Sequence, residues 1–519
     1  MENNSRYVIG VSLVVALGGF LMGFDASVIS GVVKFIELEF DLSKFELGWA
    51  VSSLTLTSTL AMMVSGPLSD RFGRKVLLKI AAILYTISAI CSAIAPNFWF
   101  LVIARMIGGF GVGASLILAP MYIAEISPAA IRGRMVSFNQ LNIVIGISVA
   151  FFSNYLILKL GGLDAAWAET LKFNEYSWRW MLGLETLPAA FYYFSLFVVP
   201  ESPRWLVMHG RENEALTIFS KASNEVQAKN EIKAVHDSVA KETNKDKVKL
   251  VELFKPAMKL VLLIGIVVAV LQQITGINSV FFYAPMIFEQ SGIGTDASFS
   301  QAILVGLTNL VFTILAILFI DKFGRKPLLS FGVAGIAICM FILSAGFYSA
   351  SYTLSDDTIS QLPESINKVQ LVPISNKTYD SDVEFKQALV DAMGEKTAKE
   401  HESTIISGAI KMNPYLILFG IIGFVASFAI SIGPVMWVLF SELFPNRLRG
   451  LAISFVGLIN SGISFIVQLV FPWELANIGN AGTFLIYGLF AAIGFIFIMM
   501  IVPETKGKSL EELESILVK

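Results

Sequence analysis

Apolar stretches of about twenty residues recur down the whole chain, each long enough to cross the hydrocarbon core of a bilayer as a helix. They fall at about 7–33, 46–66, 76–95, 98–124, 135–160 and 179–199, then at about 258–288, 300–320, 328–350, 413–440, 450–472 and 481–502. Inside lipid the backbone must satisfy its own polar groups, so these stretches read as helices. The expected fold class is an all-α membrane protein with twelve transmembrane helices in two six-helix halves. Of 519 residues, 55% are hydrophobic and only 15% charged, and the mean hydropathy is +0.70. Soluble domains carry about a quarter charged residues, so a large soluble enzyme is excluded. Soluble repeat arrays and disordered scaffolds fail on the same ground. The net charge of −2 gives no basic surface for nucleic acid. Cys91 and Cys339 lie inside apolar segments, and His209, His236 and His401 lie in polar connectors, so no disulfide framework, metal site or cofactor is expected. The first apolar run starts near Tyr7 without a small-residue cleavage site and reads as a retained first helix.

Basic residues in the short loops set the orientation. Arg71, Arg74 and Lys75 follow the second span, Arg132 and Arg134 the fourth, Lys322, Arg325 and Lys326 the eighth, and Arg447 and Arg449 the tenth. The alternate loops near 96–97, 290–299 and 474–480 have no Lys or Arg. Both termini and the charged, helix-prone stretch 201–256 are therefore expected on the cytoplasmic side of the cell (inner) membrane.

The halves are internal repeats. Asp70-Arg71-Phe72-Gly73-Arg74-Lys75 recurs as Asp321-Lys322-Phe323-Gly324-Arg325-Lys326. Glu125 with Arg132-Gly133 recurs as Glu442 with Arg449-Gly450, and Pro200-Glu201-Ser202 recurs as Pro503-Glu504-Thr505. Parallel six-helix halves are the plan of major facilitator transporters. Asp70 and Asp321 are 251 positions apart, whereas Glu125 and Glu442 are 317 apart, which places about 66 extra residues after Lys326. The polar stretch 351–412 accounts for nearly all of them, and its position after the ninth span puts it outside. The expected organisation is a first half over 1–200, a cytoplasmic linker over 201–256, a second half over 257–502 carrying the 351–412 insertion, and a cytoplasmic tail over 503–519. Within the insertion, 383–399 has the composition of a short amphipathic helix, and 355–375 reads as irregular.

Three ionisable residues inside spans are notable, since charges there are costly and mark function by default, and all three are in the first half. These are Asp25, Arg105 and Glu185. An isolated carboxylate in hydrocarbon protonates or finds a cation, and Arg105 is the available cation for Asp25. An aspartate that exchanges a proton for an arginine couples a carrier to protons. The alternative is a permanent structural ion pair. In the duplicated loops, Asp70 with Arg74 and Asp321 with Arg325 can pair between helix ends in one conformation and release in another. The Gly108-Gly109-x-Gly111-x-Gly113 run opens no helix after a strand and reads as interhelical packing, not a phosphate loop. No nucleophile–base arrangement or nucleotide-binding loop is present, so the chain is expected to be neither an enzyme nor an ATP-driven pump. Asn376-Lys377-Thr378 fits a glycosylation sequon, a pattern frequent by chance.

The chain resembles the sugar porter family of the major facilitator superfamily. The motifs that carry this are Asp70 to Lys75, Pro200-Glu201-Ser202-Pro203-Arg204-Trp205, Gln272-Gln273-x-x-Gly276-Ile277-Asn278, Asp321 to Lys326, Gly433-Pro434-x-x-Trp437 and Pro503-Glu504-Thr505-Lys506-Gly507. The match covers everything except 351–412. Bacterial sugar–proton symporters of this family have Asp at the position of Asp25 and a second carboxylate at that of Glu185, which implies a supporting role for the latter. Gln272, Gln273, Asn278, Asn309 and Asn460 are neutral amides within second-half spans, and amides supply both the donors and the acceptors that vicinal hydroxyls need. Trp437 offers an indole face for the C–H face of a pyranose. Each amide alone would serve as interhelical glue, but the set at family positions points to sugar binding, and Gln140 joins it by resemblance. Gln272 and Asn278 lie six residues apart and share a face only if the helix breaks, for which Gly276 is suited. The family's Tyr-Tyr pair is Phe282-Tyr283 here. Glu125, Arg132, Arg204, Glu442 and Arg449 resemble the family's cytoplasmic inter-half salt-bridge set.

The function this implies is secondary active import of a monosaccharide, hexose or pentose, with a proton by alternating access. A facilitative uniporter with a fixed Asp25–Arg105 pair is the alternative, and a sugar sensor signalling through 351–412 or the cytoplasmic stretch is a more distant one. The expected partners are the monosaccharide, the proton and the lipid bilayer, with the chain acting as a monomer.

Overall fold

The computed structural model describes residues 2–128, 131–223, 225–243, 249–445, 447–508 and 510–517, and helices dominate them. Five unbroken helices make the first five spans: Glu2–Glu39, Lys44–Phe72, Arg74–Ala93, Phe98–Ile126 and Arg132–Gly161. In the second half, the eighth, ninth, eleventh and twelfth spans are Thr295–Phe323, Arg325–Tyr348, Arg449–Asn477 and Gly479–Ile501. Among the described residues, 11 helices are long and apolar enough to cross a membrane. The twelfth crossing is the sixth span, which the apolar pattern predicts as one helix. It is instead two short ones, Ser177–Gly183 and Thr186–Ser195. Pro188 explains the break: its ring clashes with the carbonyl four residues earlier, at Leu184, and it has no N–H to give. Glu185 sits in the gap.

Two other spans break for equally local reasons. The seventh is Lys259–Ile274 and Ile277–Glu289, separated at Gly276, whose φ of +87° is left-handed and suits only glycine. The tenth is Pro414–Ile430 and Ile432–Leu443, interrupted at Ser431, where Pro434 denies the helix an N–H. Large apolar side chains such as Phe191, Phe331 and Met500 are exposed on the helices, a surface suited to lipid and not to water.

The chain forms two compact units. One comprises 1–28, 53–150 and 179–248, and the other 29–52, 151–178 and 249–519. In the first unit, helices approach until backbones touch. A Cβ on Gly23 would stand 2.0 Å from the Ile143 carbonyl oxygen, and one on Gly146 would stand 2.1 Å from that of Phe20. Gly109 meets the Leu54 carbonyl oxygen (2.4 Å) and Gly113 that of Ser58 (2.1 Å) in the same way. Small residues allow such approach, and dispersion with lipid release drives it. The linker helices Pro203–Met208, Glu212–Ala222 and Glu225–Thr243 join this unit's core through Leu206, Val207, Ala215, Ile218 and Val235.

The second unit holds the ends of the first, second and fifth spans within residues 29–52 and 151–178 against second-half helices. Lys34 Nζ meets Glu289 Oε1 (2.9 Å) and Thr295 Oγ1 (2.8 Å), and Lys159 pairs with Asp296 (2.6 Å). Gly48 lies against the Leu469 backbone and Trp49 packs edge-on to Phe465.

The insertion departs from the sequence expectation. Residues 355–375 are not irregular but contain helices Asp356–Gln361 and Lys368–Leu371 and a 3₁₀ turn, Val372–Ile374. The single helix expected over 383–399 is two, Asp382–Met393 and Glu395–Ala409, divided at Gly394 (φ +83°). Strands Ser351–Thr353, Thr378–Tyr379 and Ile410–Lys411 form a three-stranded antiparallel sheet in the order second, first, third. Tyr352, Leu371, Phe385, Leu389, Ile405 and Ile406 bury a separate core, with Tyr352 stacked on Phe385. The segment is a small folded domain whose ends are zipped together by the Ser351–Lys411 pairing.

Candidate transport site

Asp25 of the first span and Arg105 of the fourth meet in the first unit. Arg105 Nη1 donates to Asp25 Oδ1 at 3.3 Å, and each side chain is only 2% exposed. Gly108 makes the space: a Cβ there would stand 3.0 Å from Asp25 Oδ2 and 2.5 Å from Ser88 Oγ. Glu185, equally buried at the break in the sixth span, interacts electrostatically with both Asp25 and Arg105. Among the described residues, Asp25 Oδ2 and Glu185 Oε1 have no hydrogen-bond partner. Buried carboxylate oxygens without donors are rare and costly, so this is a polar centre with unused accepting capacity.

The second unit contains a network of neutral amides around the break in the seventh span. Gln273 Nε2 donates to Gln272 Oε1 (3.1 Å) and Asn460 Oδ1 (3.2 Å). Asn460 Nδ2 donates to Gln272 Oε1 (2.7 Å) and the Ala269 carbonyl (2.8 Å). Gln272 Nε2 reaches the Ile432 and Gly433 carbonyls at the tenth-span break. Past Gly276, Asn278 Nδ2 donates to Gln273 Oε1 (2.8 Å) and Ser464 Oγ (2.6 Å). The left-handed glycine thus lets residues six apart join one network. The ring of Tyr487 fills the space where a Gly276 Cβ would be, at 2.4 Å, and Tyr487 Oη donates to Glu474 Oε2 (2.7 Å). Ser464 and Gln468 extend the network. With Asn460 they form a polar stripe at four-residue spacing, a helical signal present in the sequence beyond the family motifs.

The remaining predicted ligands lie outside this network. Asn309 is buried in the eighth span and, among the described residues, makes no hydrogen bond to the cluster. Trp437 is 47% exposed, edge-on to Phe440 and one van der Waals contact from Gly457. Gln140 is exposed on the fifth span, in the other unit. Tyr283 Oη donates to the Gln468 carbonyl (3.2 Å), while Phe282 is buried without a hydroxyl to place.

The duplicated motifs share most of their described contacts. In the first half, Arg74 pairs with Asp70 (2.8 Å) and makes a two-pronged bond to Glu125 (3.2 and 3.1 Å). Glu201 accepts from the Lys75 N–H (3.0 Å), and Ser202 Oγ donates to Glu125. In the second half, Arg325 bonds Glu442 twice (3.1 and 2.7 Å), Glu504 accepts from the Arg325 and Lys326 N–H groups (3.1 Å each), and Thr505 Oγ1 donates to Glu442. Gly73 and Gly324 share positive φ (+99° and +92°), and a Cβ on either would strike Glu201 or Glu504. Glu125 and Glu442 each find an arginine of their own half. Arg132 donates to the Ser127 carbonyl and Arg449 to that of Phe444. Arg204 is half-buried at the start of its linker helix, and the side chain of Asp321 lies outside the described residues.

Repeated six-span halves, a buried carboxylate–guanidinium centre and an amide network within the spans define a secondary membrane transporter of the major facilitator fold. The chain belongs to the sugar (and other) transporter family, whose model matches residues 11–360 and 393–517. It is a carrier and not an enzyme. It is 35% identical to the arabinose-proton symporter of Bacillus subtilis, over all of this chain and 97% of that one. It is likewise 35% identical to the D-xylose-proton symporter of Escherichia coli, over 99% of this chain and 96% of that one. Among solved structures, the inward open xylose transporter XylE of E. coli matches with a TM-score of 0.74 at 32% identity, covering 98% of this chain and all of that one.

Proposed function

We propose that this transporter imports a monosaccharide together with a proton, across the cell membrane, with both termini in the cytoplasm. The observation that carries the reading is the charge count of the buried centre. Asp25 and Glu185 supply two carboxyls against the one guanidinium of Arg105. An uncompensated charge in such an environment is very costly, so the centre is neutral when it holds one proton. A proton arriving from outside on Asp25 weakens its bond to Arg105 and frees the first and fourth spans to shift. The amide network around Gln272, Gln273, Asn278 and Asn460 takes the sugar hydroxyls. Its donors and acceptors satisfy one another, so a polyol replaces these bonds one for one instead of filling a void. Asn309 and Trp437 join this network as ligands from the second half, and Gln140 is a candidate ligand by family resemblance alone. The naming of two relatives as pentose–proton symporters supports a pentose or hexose substrate. Asp70 with Arg74, Arg325 with Glu442, and Glu125, Arg132, Arg204, Asp321 and Arg449 form the cytoplasmic gating set.

The test is Asp25→Asn in proteoliposomes with an imposed pH gradient. Uphill accumulation should vanish while sugar binding and counterflow persist. A mutant that still concentrates sugar would show that the proton enters elsewhere and would leave Asp25–Arg105 as a fixed pair in a uniporter.

A further inference from the structure

The 351–412 domain is absent from the family pattern over its middle, since the family match skips residues 361–392. It nonetheless docks on three outer connections of the second unit. Asp382, 7% exposed, accepts from the backbone N–H (3.1 Å) and the Nδ2 (2.6 Å) of Asn480, at the start of the twelfth span. Gly479 there has φ +80°, and a Cβ on it would collide with Asp382. Glu402 accepts from Gln290 Nε2 (2.9 Å) between the seventh and eighth spans, where Ile410 also covers Gly292. Lys386 links the two acids, at 3.9 Å from Asp382 and 3.4 Å from Glu402. These contacts fix the domain to the second half.

The third contact crosses to the first half. Lys399, held by Glu395 at 2.9 Å, reaches Asp41 between the first and second spans at 3.9 Å. Lys44, at the outer start of the second span, interacts electrostatically with Glu402 and Glu395. The same outer ends are closed on the second half by Lys34–Glu289 and Lys159–Asp296.

We propose that the inserted domain is an outer latch: anchored on the second half through Asp382 and Glu402, it holds the outer end of the first half closed through Lys399 and Asp41. Lys399 and Asp41 are positioning residues that weight the transport cycle towards its outer-closed state. The inference rests on the alternating-access reading, because only a gate that opens needs a latch.

The experiment reads outer accessibility directly. A cysteine at Ser52, fully buried near the outer end of the second span, is labelled from outside with a membrane-impermeant maleimide, against the parent chain as background. Lys399→Glu should raise its labelling rate by about two- to five-fold, the range an exposed ion pair supports. The charge swap Lys399→Glu with Asp41→Lys should restore the parent rate, a rescue that a general loss of folding would not show. Unchanged labelling in Lys399→Glu, or equal labelling in the single variant and the swap, overturns the latch. Labelling does not depend on which solute is carried. A latch that fails while proton-driven uptake persists therefore refutes this inference alone, and loss of uptake in the parent chain refutes the transport reading.

Discussion

Gly276→Ala is the sharpest single test of how the amide network is held together. At φ +87° an alanine adopts a left-handed backbone at a cost of about 1–2 kcal/mol. Its Cβ would also stand 2.4 Å from the Tyr487 ring, where no real contact survives. That ring cannot swing aside freely, because Glu474 holds its hydroxyl at 2.7 Å and Phe471 stacks on it. Forcing a methyl into such a packed site adds roughly 1–3 kcal/mol. The sum, about 2–5 kcal/mol, is relieved by sliding the break, and that pulls Asn278 off Gln273. Sugar affinity, measured by calorimetry on purified protein, should therefore fall by about 30-fold or more. In a Tyr487→Ala background the steric part is absent, and the same substitution should cost only about 5- to 30-fold. Gly276→Ala with sugar affinity and melting temperature unchanged would refute the reasoning. An equal effect in both backgrounds would show that the ring plays no part.

Gln273→Ala and Asn278→Ala should each weaken sugar binding by about 1–3 kcal/mol, the usual loss when a buried polar partner is removed, and leave the proton dependence of uptake intact. Counterflow titrations at two pH values check both halves of that statement. Gly73→Ala, strained at φ +99° with its Cβ 2.5 Å from Glu201, should lower the yield of folded carrier, as should Gly324→Ala at the mirror position; fluorescence-detected size exclusion reads this. Burial of Glu402 opposes its ionisation, yet Lys386, Lys44 and the Gln290 amide hold its carboxyl at about 2 against an ordinary 4.5. A depressed carboxyl stabilises fully above its unfolded value and loses that contribution as pH falls through the folded one. The melting-temperature difference between the parent and Glu402→Gln should accordingly stay flat above pH 4.5 and shrink only towards pH 2. A difference that disappears by pH 6 would mean the lysines do not hold the charge.

Much of the fold is written in local patterns, and what escaped detection depends on distance. The apolar runs and the duplicated hexapeptides fix the spans and the repeat because each is continuous in sequence. The break at Gly276 was legible from the spacing of Gln272 and Asn278. The break at Glu185 escaped the apolar pattern, because hydropathy registers neither the missing N–H of Pro188 nor the clash of its ring with the preceding turn. The insertion was located by register and misjudged in content. Its strands are two or three residues long, too short to show a period, and its core joins Tyr352 to Phe385 across the segment. The partner of Glu125 was not legible either. Arg74, Arg132 and Arg204 are all charge-compatible with it, and only the folded loop selects Arg74, 51 residues away.

The bare glycine contacts of the first unit have a mechanical consequence. Gly23 on Ile143 with Gly146 on Phe20, and Gly109 on Leu54 with Gly113 on Ser58, bolt the first span to the fifth and the second to the fourth at two points each. The glycines themselves have no side chain to rotate away, and only at Gly109 and Gly113 do neighbouring side chains, those of Thr57 and Ala61, share the contact with backbone, so either pair has little soft layer in which to absorb a local disturbance. Asp25 lies two residues beyond one bolt, and Arg105 four residues before another. A change in their attraction therefore cannot dissipate into rotamer adjustments around the charge. It acts on the helices that carry the two charges, beside the point where Pro188 cuts the sixth span next to Glu185.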